Sequence, residues 1–177
     1  DGSVRHTAIT IEPPTLAPDE VIDIKFTSVS KGVSSQVELR ALIEKSYSFP
    51  VSVTLYSEAS PAKTISLNAR DLLLDALSKK TDSWLAGPLV KELRVEQDIA
   101  AHLKLRFDIR VYRNGEIRTA VTFDNSKTFS PGIRHNVYDV IIGEKTSPAF
   151  SAQKIGHHRS ANWHRVFWSK PHRPAHV

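Results

Sequence analysis

The sequence predicts a mainly β protein, an antiparallel β-sandwich or barrel of about nine or ten short strands with one short helix over about 69–80. Three observations carry that prediction. Short segments in which apolar and polar residues alternate recur along the chain, most clearly from His102 to Tyr112. Clusters of Pro, Gly, Asn, Asp and Ser separate them. A run of leucines at helical spacing follows Asn68.

The elements follow in order. Val4 to Ile11 is β-branched and broadly alternating, and Pro13-Pro14 ends it, so it reads as a strand. Val21 to Phe26 follows the turn signal Pro18-Asp19 and reads as another. From Pro50 to Tyr56 the alternation is clean, with Val51, Val53 and Leu55 on one face and Ser52, Thr54 and Tyr56 on the other. Ala62 to Leu67 is its expected partner across Ser60-Pro61. Asn68 suits an N-cap because its side chain can accept a bond from a first-turn amide. Behind it Leu72, Leu73, Leu74, Ala76 and Leu77 form an apolar stripe, and Lys79-Lys80 complement the negative end of the helix dipole. Trp84 to Pro88 reads as an anchored turn, with Trp84 packed under the helix and a ligand platform as the alternative.

The clearest element is a hairpin. Leu103, Leu105, Phe107, Ile109 and Val111 point one way; His102, Lys104, Arg106, Asp108, Arg110 and Tyr112 point the other. Asn114-Gly115 turns the chain. A two-residue loop would set Val111 opposite Arg118 and Phe107 opposite Thr122, mixing the faces. A three-residue loop, Arg113-Asn114-Gly115, sets Val111 opposite Ile117, Phe107 opposite Val121 and Leu105 opposite Phe123. The apolar pattern therefore selects the longer loop, with Gly115 left-handed in a G1 bulge. That register pairs Lys104 with Asp124 but sets Arg110 against Arg118. Two facing arginines want an anion over them, for which Asp108 is one candidate, or else splay apart into solvent. A second hairpin, Val137–Ile142 with Ala149–Ile155 across Gly143-Glu144-Lys145, and a last strand from Asn162 to Trp168 complete the set.

With 177 residues, 40% hydrophobic and 24% charged, the chain suits one globular domain, and no repeat or low-complexity linker divides it. Residues 1–177 are read as a single β domain with a basic tail over 169–177. No apolar run approaches the ~20 residues that span a bilayer. With no Cys, disulfides and thiol chemistry are excluded. Asp1-Gly2-Ser3 reads as a turn that follows an earlier strand, which predicts a fragment of a longer chain.

Charge is distributed unevenly. Lys145 to Val177 holds no Asp or Glu, six Lys/Arg and five of the eight His. The remainder carries 18 basic and 19 acidic residues, so the whole surplus sits at one end. Within it, His157, His158, Arg159, Trp163, His164, Arg165 and Trp168 form a cationic, aromatic segment that reads as a contact surface. The pI of 9.5 invites nucleic acid, but no nucleic-acid fold signature accompanies it, and an acidic patch on a neighbouring domain or subunit is the favoured partner.

Chemistry-bearing constellations are weak. His158 and His164, six apart, would lie ~20 Å apart on an unbroken strand, and no acid or Cys is near to complete a zinc site, so no metal is expected. Asp108, Asp124 and Asp139 fall on what read as adjacent strands, as a glycosidase pair requires, but scattered acids meet that condition by chance. No G-x-S-x-G and no glycine-rich phosphate loop is present, and no cofactor motif, so the chain is read as non-catalytic. Arg110, Arg118 and Tyr112 share a face and offer planar donors beside a ring, a combination that suits an acidic sugar; Tyr47, Tyr56 and Tyr138 are expected to be half exposed.

Two resemblances bear on function. Asp1-Gly2-Ser3-Val4-Arg5, followed by a strand and a Pro-rich turn, resembles the start of the second strand in the RIFT-type barrel of exo-rhamnogalacturonan lyase-like proteins, although His6 stands where those usually have Trp. Trp84 to Pro88, the Arg106-to-Phe123 hairpin and His157 to Trp168 look more like uncharacterised proteins of tailed phages and prophages, which carry a similar start and a similar His-His…Trp…Val-Phe-Trp ending. That resemblance implies a virion-associated or cell-surface β module, with no catalytic residues to carry over. The expectation is a structural or interaction module in a virion or extracellular setting, docking through its cationic end. A carbohydrate-binding accessory domain of a polysaccharide-degrading enzyme is the alternative.

Overall fold

The computed structural model describes residues 9–25, 39–57, 60–79, 81, 83–100, 102–126 and 135–170. Its elements are α1 (Leu39–Ser46), β1 (Pro50–Tyr56), β2 (Lys63–Asn68), α2 (Ala69–Ser78), β3 (Leu85–Ala86), β4 (Val90–Asp98), β5 (Lys104–Tyr112), β6 (Ile117–Asn125), β7 (Asn136–Glu144), β8 (Ser147–His157) and β9 (Ala161–Trp168). They form two antiparallel sheets, ordered β2-β1-β7-β8 and β3-β4-β5-β6-β9. The architecture is therefore a sandwich, and the open order of both sheets removes the barrel alternative.

Alternation builds the core. On β5, Leu105, Phe107, Ile109 and Val111 are fully buried, and Val51, Val53, Tyr138, Val140 and Ile142 come from the opposite sheet to meet them. Aromatic contacts join the layers: Phe123 stacks on Tyr138 at 5.3 Å and Phe49 meets Phe107 edge-on at 6.2 Å. Asn68 caps α2 by accepting from the Arg70 amide at 3.0 Å, and the same oxygen accepts the Phe49 amide at 2.9 Å. The two helices pack together on the β2/β4 side, where Leu39, Ile43, Ala69 and Leu73 join the core. The opposite side, between the outermost strands β8 and β9, has no helix over it among the described residues.

The central hairpin has the predicted register throughout: Val111↔Ile117, Phe107↔Val121, Leu105↔Phe123, Lys104↔Asp124 and Arg110↔Arg118. Gly115 has φ 82° and its amide bonds the Tyr112 carbonyl at 2.9 Å, as a three-residue loop with a G1 bulge requires.

Other expectations need correction. Residues 9–11 and 21–25 belong to neither sheet, and Val21 is 85% exposed; β-branched residues without a neighbouring strand or a core to face gain nothing from extension. Residues 4–8 and Phe26 of those two expected strands lie outside the described residues, as do 171–177 of the basic tail. A second helix, α1, precedes β1, and β4 is a full strand. The second hairpin turns at Lys145-Thr146, two residues beyond the expected start, since Glu144 still pairs with Ser147. Trp84 does not pack under α2: it is 70% exposed, with the Arg94 guanidinium 5.5 Å from its ring centre. Tyr47 and Tyr138 are buried rather than half exposed, because both lie on core-facing positions.

Candidate functional site

Register places the candidate residues on two surfaces. On the outer face of the five-stranded sheet, one row runs from Glu92 on β4 through Arg110 and Arg118 to Trp168 on β9. Glu92, whose side chain is only 6% exposed, accepts a hydrogen bond from Arg110 Nε. The anion over the arginines is thus Glu92, and Asp108 is engaged elsewhere: Arg94 Nε donates to it at 2.6 Å and Arg106 stands 3.4 Å away. Along the same face Lys104 Nζ donates to Glu96 at 2.7 Å. Burial works against ionisation of Asp124, but the hydroxyl and amide of Ser126, with Arg106 and Lys104, outweigh it and hold its carboxyl below the usual range. The face is a charge-paired lattice. Tyr112 stacks on Trp168 at 5.7 Å and 21°, so these two candidates, far apart in sequence, form one aromatic unit beside Arg118.

Asp108, Asp124 and Asp139 do not all lie on adjacent strands. Asp139 lies in the other sheet, where Tyr56 Oη donates to it at 2.6 Å and the Lys154 amide at 2.7 Å. Those two donors hold the Asp139 carboxyl below its ordinary range, and the Lys154 ammonium caps the Tyr56 ring at 3.0 Å. Lys154, with φ 52°, sits in a bulge between the Tyr138 and Val140 pairings, so Asp139 serves as the clamp of a bulge.

The His-rich segment divides. His157 is buried in a three-step network: Trp163 Nε1–H donates to Tyr138 Oη at 2.8 Å, and Tyr138 Oη meets His157 Nδ1 at 3.0 Å. His157 Nε2 then reaches the Ala161 carbonyl at 2.9 Å. A carbonyl can only accept, so Nε2 carries the proton and Nδ1 accepts the Tyr138 hydroxyl. Burial pushes the His157 pKa below its ordinary value and the Tyr138 hydroxyl above its own. Trp163 stacks on Phe123 at 4.5 Å. His157 and Trp163 therefore build the core, whereas His158, Arg159, His164 and Arg165 are exposed. His158 meets His135 ring to ring at 4.2 Å, and no group of three or more metal-ligating side chains occurs among the described residues.

What the acid-free stretch becomes in space is more specific than its sequence. From Lys145 onward it supplies β8, the β8–β9 turn and β9, the edge strands of both sheets on one side of the sandwich. Lys145, Lys154, Arg159, Arg165 and Lys170 are all exposed there. Across the gap Phe150 of β8 tilts onto Trp163 of β9 at 6.0 Å, and the Arg165 guanidinium lies 4.1 Å over the Phe150 ring. A groove of about 460 Å³ opens between Ala149, Phe150 and the stretch His164 to Phe167. The class these features define is an antiparallel β-sandwich with one open side whose edge strands carry cations and no acid of their own. Comparisons with protein families, with curated proteins and with solved structures find no match. No helix among the described residues is long and apolar enough to cross a membrane.

Proposed function

We propose that the chain is a non-catalytic interaction module that docks through its β8–β9 side onto an acidic surface of a neighbouring domain or subunit. The observation that carries this reading is the convergence of both sheet edges with the exposed cations Lys145, Lys154, Arg159, Arg165 and Lys170 on one side of the sandwich, in a stretch that contains no acid of its own. The resemblance of the two ends of the chain to tailed-phage and prophage proteins makes a virion, where β domains are stacked and fused through their ends, the setting. The paired and clamped state of Asp108, Asp124 and Asp139 supports a non-catalytic role.

The test is binding to immobilised polyglutamate at low and high salt. The wild-type chain binds, and Arg159→Glu with Arg165→Glu abolishes binding while leaving the unfolding temperature in place; retention by the double variant contradicts the reading. The Tyr112–Trp168 stack beside Arg118 favours one second reading, a carbohydrate-binding accessory domain that takes uronate-containing oligosaccharides. Uronate binding that Arg118→Ala removes and the β9 reversals spare would establish that reading in place of the first.

A further inference from the structure

Resting on the β8–β9 docking surface, we infer that β9 is an acceptor edge: it takes an acidic, extended segment of a partner as a sixth strand of the β3-β4-β5-β6-β9 sheet. Edge strands of folded proteins are normally blunted against such pairing, by shortness, Pro, Lys or bulges. The other edges fit that rule. β3 has two residues, and β2 starts at Lys63 and runs straight into α2. β8 carries Pro148, two register shifts against β7 and the left-handed Lys154. β9 is full length, with no Pro, no Lys and no bulge; its one charged residue on the core-side face is Arg165, over Phe150. Its pairing with β6 is continuous from Asn125↔Ala161 to Arg118↔Trp168, without a bulge, and it reads Ala-Asn-Trp-His-Arg-Val-Phe-Trp, rich in β-formers.

The free side of β9 can be assigned. The Ser169 amide bonds the Ile117 carbonyl at 2.9 Å, which in an antiparallel ladder makes Phe167, Arg165 and Trp163 the positions bonded to β6. The N–H and C=O of Asn162, His164 and Val166 therefore point to the open edge, where neither sheet places a further strand among the described residues. The incoming strand's alternate side chains would fall toward Arg165 and the groove beside Phe150 and Phe167, a polar anchor beside an apolar seat.

Charge selects the occupant. A second copy paired antiparallel must match outward-facing positions with outward-facing ones, so a pair centred on His164 sets His164 opposite His164 and one centred on Arg165 sets Arg165 opposite Arg165, with no acid on either strand. Like charges directly opposite destabilise a ladder. A segment alternating Glu or Asp with β-branched residues sets its acids on the Arg165 face and its β-branched side chains on the His164 and Val166 face.

The probe is a capped peptide of about nine residues, a usual strand length, alternating Val and Glu. Controls are the same peptide with Lys for Glu and with alternate backbone N-methyl groups. The acidic peptide is expected to slow amide exchange of His164 and Val166 at least about tenfold while both controls leave it unchanged. Val166→Pro removes one outward N–H, keeps the pairing to β6 and lowers affinity by about tenfold. If the N-methylated peptide binds as well as the parent and no β9 amide is protected, the surface docks by charge alone; augmentation is overturned and the docking reading stands. If neither acidic peptide binds, both fall. Protection of His164 and Val166 in the chain alone, with a dimeric mass by light scattering, overturns the acidic occupant in favour of a second copy.

Discussion

Arg110 and Arg118 face each other across one ladder step, yet their surroundings differ. Arg110 is held by a buried carboxylate, Glu92, on its other side, and that bond is the main cause of its raised pKa. Arg110→Ala would strand the Glu92 carboxylate in a site only 6% exposed. Since the Arg110 side chain itself is 37% exposed, the cost falls below the range for a fully buried pair, at about 2 kcal/mol in urea unfolding. Arg118→Ala stays within about 0.5 kcal/mol. Equal losses would contradict the assignment. His157 carries a pH signature. Its folded pKa is lowered from the ordinary 6.5 by burial, so above 6.5 both folded and unfolded states are neutral and its contribution is intact. As pH falls below 6.5 the unfolded chain takes up the proton first, and stability drops until the lowered folded pKa is reached. The fall in unfolding temperature between pH 7 and 5 should be shallower in His157→Gln than in the wild type; identical slopes would place the titration elsewhere.

At the scale of elements, one glycine in each hairpin separates conformational strain from steric conflict. Gly115 and Gly143 both have positive φ, 82° and 95°. A Cβ on Gly115 would meet nothing within 4 Å, so Gly115→Ala costs the left-handed penalty alone, about 1 kcal/mol. A Cβ on Gly143 would lie 2.9 Å from the Ala149 backbone nitrogen, which cannot swing aside. Gly143→Ala should therefore shift the denaturation midpoint further than Gly115→Ala, and the reverse order would contradict the bulge at Ala149. Legibility also varies by element. The β5–β6 register could be read because apolar residues at every second position allow one pairing that keeps both faces pure. β4 left a readable trace, Leu93 and Val95 alternating with Glu92, Arg94 and Glu96, and so did α1, with Leu39, Leu42 and Ile43 at helical spacing. β4 matters most to the outer face, because it supplies Glu92 to Arg110 and Glu96 to Lys104.

Across the whole molecule, charge is sorted by surface. The outer face of the five-stranded sheet interleaves Glu92, Glu96, Asp108 and Asp124 with Arg94, Lys104, Arg106 and Arg110, so its field is largely cancelled within the sheet. The strands of the β8–β9 side contribute cations and no acid of their own, with Asp139 beside Lys154 and Asp124 opposite Asn162 as the neighbouring carboxylates. Such exposed charges contribute little to folding, which is why Arg159→Glu with Arg165→Glu should abolish polyglutamate binding at unchanged unfolding temperature. The aromatic residues there serve folding instead: Trp163, Phe123, Tyr138 and His157 form a continuous stack and hydrogen-bond chain across the two sheets.

The sequence by itself determined the β class, the capped helix, the central hairpin with its G1 turn and the segregation of charge to one end, since each rests on periodicity, local backbone chemistry or simple counting. Tertiary structure alone decided which of the His and Trp residues are core and which are surface, because a residue six or twenty positions away in sequence becomes a neighbour only when two sheets stack. It also decided that the acid-free stretch forms both sheet edges on one side. Strand order is fixed by which apolar faces meet in the core, and that information is distributed over the whole chain.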